Sequence, residues 1–430
     1  MQKNDPKYAS YVEILKEELL PAMGCTEPIA IAYGAARARE VLGCLPEQVT
    51  VEASGNIIKN VKSVVVPHTD GLRGIEAAAA AGIVAGRADR LLEVIADVDD
   101  TQKAAVVAYL KSHKIKVLPA EGDVVFDIIL TVRAGNDVVR LRIADYHTNV
   151  ILIEKNGEKL LDKGEPGTES ADGETDHSCL TVADIVDFAE TMDVDDVRAL
   201  VERQIDYNYA IAQEGMANSY GANVGKSMRN FAGRDVYMRA GYMAAAGSDA
   251  RMNGCEMPVV IVSGSGNQGI TASVPVVEYA KELDVTHDKL LRAVTLSDLL
   301  AIHMKTGIGR LSAYCGAVCA GCAAGAAIAW LNGGDVDCVS GTLVNSLGTV
   351  SGMVCDGAKA SCAAKIATSV WAGLLGWDMS RGRQLLEGGD GIVGDDVEET
   401  IRNVGRLGRV GMRETDRTIL RIMTDQPDPT

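Results

Sequence analysis

Ten cysteines are spread through this 430-residue chain, and four stand where core packing alone does not account for them. Cys25 lies in Pro-Ala-Met-Gly-Cys-Thr-Glu-Pro (21–28) and Cys315 in Leu-Ser-Ala-Tyr-Cys-Gly-Ala (311–317). Cys355 and Cys362 share Cys-Asp-Gly-Ala-Lys-Ala-Ser-Cys (355–362). Each is flanked by Gly, Pro or Asp, the residues of turns and helix ends, where a sulfur can leave the core and face a site. Three thiolates with a fourth nearby point to a metal centre. On one straight helix Cys355 and Cys362 would stand roughly 10.5 Å apart along the axis. Asp356-Gly357 is therefore read as a turn, with a helix starting near Ala358 and Cys362 in its first turns. Cys315 likewise precedes an Ala-rich helix. Helix N-termini carry partial positive charge and unpaired N–H groups, which favour thiolates and anionic clusters. Glu27-Pro28 opens the helix after Cys25, so this thiol is expected to have a lowered pKa and to act as a base or nucleophile. Cys44, Cys179, Cys255 and Cys338 read as packing residues, as do Cys319 and Cys322 on the helix after Cys315.

The elements that must position these thiols divide the chain. Residues 8–42 read as two helices broken at the Gly24–Pro28 turn, with Tyr11, Ile14, Leu15, Leu19 and Leu20 at helical spacing. Strands are expected at 49–53, 63–66, 115–118, 125–132, 138–143 and 150–154, with Gly135-Asn136-Asp137 as a hairpin signal. Helices at 71–86 and 101–112 lie among them. Residues 155–178 are polar and read as an exposed loop. From Thr181 nearly everything is expected to be helical: 181–190, 195–220, 235–250, 275–283, 287–306, 316–333, 340–353, 360–376 and 394–424. The fold class is α+β: a large all-helical domain with a smaller α/β layer domain inserted near the N-terminus. The expected divisions are N-terminal helices 1–44 packing with the helical domain, an α/β domain 45–160, a linker 161–180 and a helical domain 181–430.

Composition narrows the function classes. The chain is 47% apolar but only 4% aromatic, so Ala, Val, Ile, Leu and Met must build its core. The Ala-rich run at 74–86 implies closely approaching helices. A net charge of −17 argues against a nucleic-acid partner, since phosphate binding needs a basic face. No secretory leader is visible and no stretch reaches about 20 uninterrupted apolar residues, so no membrane association is expected. The default is a cytoplasmic protein with reduced thiols, and a homodimer by base rate.

In order along the chain, Pro-Ala-Met-Gly-Cys-Thr-Glu-Pro (21–28), His-Thr-Asn (147–149), Ser-Asp-Ala-Arg-Met (248–252), Ser-Gly-Ser-Gly-Asn-Gln-Gly-Ile-Thr-Ala (263–272), Arg-Leu-Ser-Ala-x-Cys (310–315) and Ser-Gly-Met-x-Cys-Asp-Gly-Ala (351–358) are distinctive. Together they resemble the L-cysteine desulfidase family, which is related to the bacterial iron–sulfur L-serine dehydratases. The resemblance implies a [4Fe-4S] lyase that needs no pyridoxal phosphate, acting on L-cysteine to give pyruvate, ammonia and hydrogen sulfide. It implies Cys315, Cys355 and Cys362 as cluster ligands within the helical domain, with one iron left open as a Lewis acid, and Cys25 as proton acceptor. Cys319 and Cys322 are extra thiols that would replace Cys315 if the helix start shifted by a turn. The substrate carboxylate is expected against the Gly-rich segment Ser263-Gly264-Ser265-Gly266-Asn267-Gln268-Gly269, whose N–H groups and Asn267 amide can hold an anion, with His147 as a pocket group. Asn56, Lys59 and Asn60 form a polar patch after a strand, where Lys59 reads as solvated. Arg251 and Lys359 read similarly. Two rival activities are an L-serine dehydratase with the same centre and a zinc-stabilised binding protein without catalysis.

Overall fold

The computed structural model describes residues 1–122, 124–166, 175–232, 235–309 and 311–424. Arg310 of the Arg-Leu-Ser-Ala-x-Cys motif and residues 167–174 of the expected linker lie outside the described residues. In chain order the first part contains α1 (Pro6–Glu18), β1 (Pro21–Met23), α2 (Thr26–Leu42), β2 (Gln48–Ala53), α3 (Gly55–Val61), α4 (Gly74–Ala85) and α5 (Asp100–Ser112). It continues with β3 (Ile115–Pro119), β4 (Asp127–Ala134), β5 (Asp137–Ala144), β6 (Val150–Lys155) and β7 (Glu158–Asp162). The second part contains α6 (Val182–Thr191), α7 (Arg198–Ala217), α8 (Val224–Ala232), α9 (Val236–Met252), β8 (Pro258–Val260), α10 (Gly266–Glu282) and α11 (His287–Ile308). It ends with α12 (Gly316–Leu331), α13 (Val336–Val350), α14 (Cys362–Arg381), α15 (Val397–Arg406) and α16 (Arg413–Thr424). This is the expected α+β class.

The main sheet has the order β3-β2-β4-β5-β6-β7. Only β2 and β3 run parallel, and the crossover between them carries α3, α4 and α5. The other pairs are antiparallel, and short connections join β4 to β5, β5 to β6 and β6 to β7. The β4–β5 hairpin turns at Gly135, in the left-handed region at φ 55°. The Val-rich stretch 63–66 is not a strand. It is coil in which Val64, Val65 and Val66 are buried, with a single bridge from Val65 to Arg73 ahead of α4. Burial, not extension, was its message.

The two N-terminal helices go to different layers. The Tyr8 and Tyr11 rings of α1 pack on Phe188 of α6, each with ring centres 5.2 Å apart. α2 instead lies on the sheet, where Gly34 admits the side chains of Leu130, Leu141 and Ile143. Small residues bring helices into backbone contact, as the Ala-rich composition requires. A Cβ on Gly82 would collide with the Ala32 carbonyl, and Gly325 of α12 faces the Gly373 backbone of α14.

One buried group in this helical packing reports on pH. Asp298 of α11 accepts a hydrogen bond from Gln204 Nε2 of α7 at 2.8 Å, and its Oδ2 has no partner. Burial pushes the Asp298 carboxyl up to about 8, against the hydrogen bond from Gln204. The folded chain therefore keeps a proton that the unfolded chain, with a carboxyl pKa of about 3.9, has already lost. Stability from this group is complete below about pH 4 and is lost as pH rises to about 8, at up to about 1.4 kcal/mol per pH unit. Asp298→Asn should remove that slope. Thermal unfolding of both proteins between about pH 5 and 8 checks it, and an unchanged slope in the variant would place the effect elsewhere.

A candidate active site built on helix starts

β1 and β8 pair antiparallel, with Ala22 opposite Val259. The turn holding Cys25 leaves one strand, and the Gly-rich segment leaves the other. Thr26 Oγ1 donates to the Gly264 carbonyl at 2.9 Å and ties the two together. Cys25 is the N-cap residue of α2, yet its side chain makes no capping hydrogen bond. The thiol instead donates to Glu27 Oε2 at 3.1 Å. Glu27 also accepts from Thr26 Oγ1 at 3.2 Å and from Asn60 Nδ2 of α3 at 3.0 Å.

This geometry corrects the expectation of a lowered Cys25 pKa. Burial pushes the thiol well up and the Glu27 charge pushes it further, while Arg251 and the Glu27 backbone N–H pull it down and lose. The field of the helix start is real, but complete burial beside a carboxylate outweighs it. Glu27 moves the other way. Burial raises its pKa, but His147, the hydrogen bond from Cys25 and Arg251 together hold it below the usual carboxylate range. Cys25 and Glu27 thus form a buried pair that holds one proton, on sulfur at rest.

The other three thiols converge on the same place. Tyr314 and Val354 form an antiparallel bridge, closed by Cys315 N–H to the Met353 carbonyl at 3.1 Å and Cys355 N–H to the Ala313 carbonyl at 2.6 Å. In this register Cys315 and Cys355 are diagonal neighbours on one face, whose Cα atoms stand about 7–8 Å apart. Cys315 is the N-cap of α12 and Cys362 the first residue of α14. That helix starts four residues later than the expected Ala358, so Cys355 sits in the loop ahead of it. Burial, then the neighbouring Cys355, push the Cys315 thiol up to about 12. Burial and Cys355 raise Cys362 also, and Lys365 and Arg251 oppose it. Cys25, Val64 and Met252 form one buried apolar cluster, with Ala358 and Cys362 packed against it. The base candidate and a ligand candidate therefore share a wall. Cys319 and Cys322 are fully buried within α12, where burial holds both at about 12.

The loop carrying Cys355 is clamped from three sides. Lys59 is 2% exposed, not solvated as its sequence context reads. Its ammonium donates to the Cys355 carbonyl at 3.3 Å and pairs with Asp416 of α16. Lys359 and Lys365 both pair with Asp356. Gly357, at φ 99°, lies against the Lys59 carbonyl, where a side chain would collide. Among the described residues no three His, Cys, Asp or Glu side chains close to the spacing of a single bound metal ion. A four-iron cluster is larger and takes its thiolates further apart. Three thiols at helix starts and a loop, each near the others and faced by Lys365, match that donor set.

The Gly-rich segment is only half a loop. Ser263 and Gly264 hold left-handed conformations at φ 48° and 76°, Ser265 is the N-cap, and Gly266, Asn267, Gln268 and Gly269 form the first turn of α10. The helix begins nine residues earlier than expected, because glycine-rich sequence hides a buried helix start. Ser263 in the left-handed region is uncommon for a non-glycine residue. The Gln268 side chain lies against Gly316, next to Cys315. His147 lies in the β5–β6 connection, buried edge-on to Phe126 with ring centres 4.8 Å apart, and its charge acts on Glu27. Sequence reasoning missed Glu27 and the burial of Lys59 and Arg251. The Glu27-Pro28 pair was legible only as a helix start.

A cavity of about 1090 Å³ opens beside this constellation, between the sheet, α3 and the C-terminal helices. Asn56, Phe126 and Ala313 line it on the side of the site, and none of the four thiols does.

The family of the serine dehydratase alpha chain matches residues 89–421, which include His147, Arg251, the α10 start and the three ligand candidates. Cys25, Glu27 and Lys59 precede that span. Relatives cover them: a UPF0597 protein of Desulfitobacterium hafniense is 56% identical over 428 residues, 99% of each chain. UPF0597 proteins of Treponema denticola and Fusobacterium nucleatum are 46% and 45% identical, over 98% of this chain and at least 99% of theirs. With a match over most of its length and relatives along nearly all of it, this chain belongs to the UPF0597 group of the serine dehydratase alpha-chain family.

Proposed function

We propose that the protein is a [4Fe-4S]-dependent lyase that eliminates sulfide from L-cysteine to give pyruvate, ammonia and hydrogen sulfide. The observation that carries this reading is the buried wall shared by Cys25 and Cys362, which sets a thiol–carboxylate pair beside three thiols at one centre. Cys315, Cys355 and Cys362 would hold the cluster, and it would supply an iron with an open position, a Lewis acid for the leaving group or carboxylate.

The chain's own residues account for the proton. The Cys25 thiolate takes the α-proton once its own proton has moved to Glu27, and the Cα–H pair expels the β-sulfur as hydrosulfide, which takes the proton from Glu27 and leaves as hydrogen sulfide, so that the pair returns to its resting state. The neutral aminoacrylate that leaves tautomerises to an imine, and water hydrolyses it to pyruvate and ammonia. Burial keeps water from the base.

L-Serine dehydration uses the same centre with hydroxide as leaving group, and the family match favours keeping it as the second reading. Pyruvate formation by anaerobically reconstituted protein from each amino acid separates the two. The first reading predicts a kcat/KM for cysteine above that for serine. The reverse order makes the protein a serine dehydratase.

A further inference from the structure

α3 is seven residues long, yet it touches both halves of the site. Lys59 is 2% exposed, and its ammonium donates to the Cys355 carbonyl at 3.3 Å. The Lys59 backbone meets the same loop two residues on, where a Cβ on Gly357 would stand 2.5 Å from the Lys59 carbonyl oxygen. The next residue of α3, Asn60, donates from Nδ2 to Glu27 Oε1 at 3.0 Å. One short helix therefore holds the backbone of a ligand candidate and the carboxylate of the proton pair.

Behind α3 stands α16. Asp416 pairs with the Lys59 ammonium, and Lys62 Nζ donates to the Met423 carbonyl. The Leu420 side chain occupies the space that a Cβ on Gly55 would need, with Cδ2 2.5 Å from that position. α16 thus braces α3 at its first residue, at Lys59 and at its C-cap Lys62. A buried ammonium–carboxylate pair adds little net stability over apolar side chains of the same volume. What the ammonium adds is a bond to a third group, since lysine offers three donors. The group it takes is the carbonyl of Cys355, whose N–H is already bound to the Ala313 carbonyl at 2.6 Å. Both peptide groups of Cys355 are held, and its sulfur takes no part in the clamp.

We infer that Lys59 is a positioning residue: braced by Asp416, it sets the Cys355 backbone, and so its thiol, from the helix that also orients Glu27. The inference rests on the lyase reading for the role of Cys355 as a ligand, and on the fold alone for the clamp.

Iodoacetamide alkylation of the iron-free protein under anaerobic conditions reads the clamp, as the ratio of rates at Cys355 and at exposed Cys44. Lys59→Met should raise that ratio at least about tenfold, the scale of a lost hydrogen bond to a charged group. It should also lower the unfolding temperature, because Asp416 loses its partner. The double substitution Lys59→Met with Asp416→Leu removes both charges. It should recover the unfolding temperature and keep the raised ratio. Asp416→Asn, which leaves Lys59 in place without its brace, should raise the ratio by a smaller factor.

A ratio like the parent's in the double variant overturns the inference, whether or not Lys59→Met folds, because the pair then serves stability alone. An unchanged ratio in Asp416→Asn overturns the bracing role of α16. Iron loading separates the clamp from the lyase reading. If the ratio rises but the reconstituted parent holds no iron, the lyase reading fails and the clamp stands. If the parent loads iron and forms pyruvate while the double variant keeps the parent's ratio, the clamp fails and the lyase reading stands. With both in place, the double variant should lose iron to a chelator at least about tenfold faster than the parent.

Discussion

On the proposed lyase reading, Cys25→Ala should lower kcat by at least about a hundredfold, the scale of a lost general base, and leave the iron content and brown colour of the reconstituted protein unchanged. The thiol is buried at the start of α2, and its proton already points at Glu27. Removing the sulfur deletes the acceptor for the α-proton but leaves the helix start in place, since the thiol does not cap it. Loss of colour would instead make Cys25 a ligand. Glu27→Gln tests the other half of the pair. Burial and the Glu27 charge both raise the thiol, so the amide variant should move the thiol limb of the kcat–pH profile to lower pH while kcat falls. A limb that stays in place would separate Glu27 from the proton path.

If Cys355 is a cluster ligand as proposed, Cys355→Ala should lower bound iron per chain by at least about tenfold and abolish turnover with it. Cys355 is the thiol that the protein holds through its backbone: its N–H meets Ala313, its carbonyl meets Lys59, and the next residue is clamped by two lysines. Such a clamp has little purpose around a packing cysteine. Cys319→Ala is the control, because its sulfur is sealed inside α12 and should change stability but not iron. Iron retained in Cys355→Ala, or lost in Cys319→Ala, would reassign the ligand set.

What the sequence revealed about the site follows from which signals are local. Cys25, Cys315 and Cys362 sit at helix starts whose Gly, Pro and Ser neighbours can be read within a few residues. Their convergence is not local: it depends on the Tyr314–Val354 bridge and the β1–β8 pair, short ladders that leave no periodic pattern. Glu27 was hidden because Glu before Pro is ordinary at a helix start. α3 was missed because seven residues are too few for periodicity, and its lysine faces inward. The fold's larger elements were legible for the opposite reason. α1, α2 and the β4–β5 hairpin carry repeated apolar spacing, whereas α10 begins in glycine and serine and gives no apolar stripe until Ile270.

The central claim is that three thiols hold a cluster beside a thiol base. Anaerobic reconstitution with iron and sulfide, followed by quantification of metal and of pyruvate from L-cysteine, tests it in one preparation. The account predicts a brown, air-sensitive protein with about four irons and four sulfides per chain that forms pyruvate only while the colour persists. A colourless protein that binds zinc and survives air, or a fully loaded protein that forms pyruvate from neither cysteine nor serine, would contradict it.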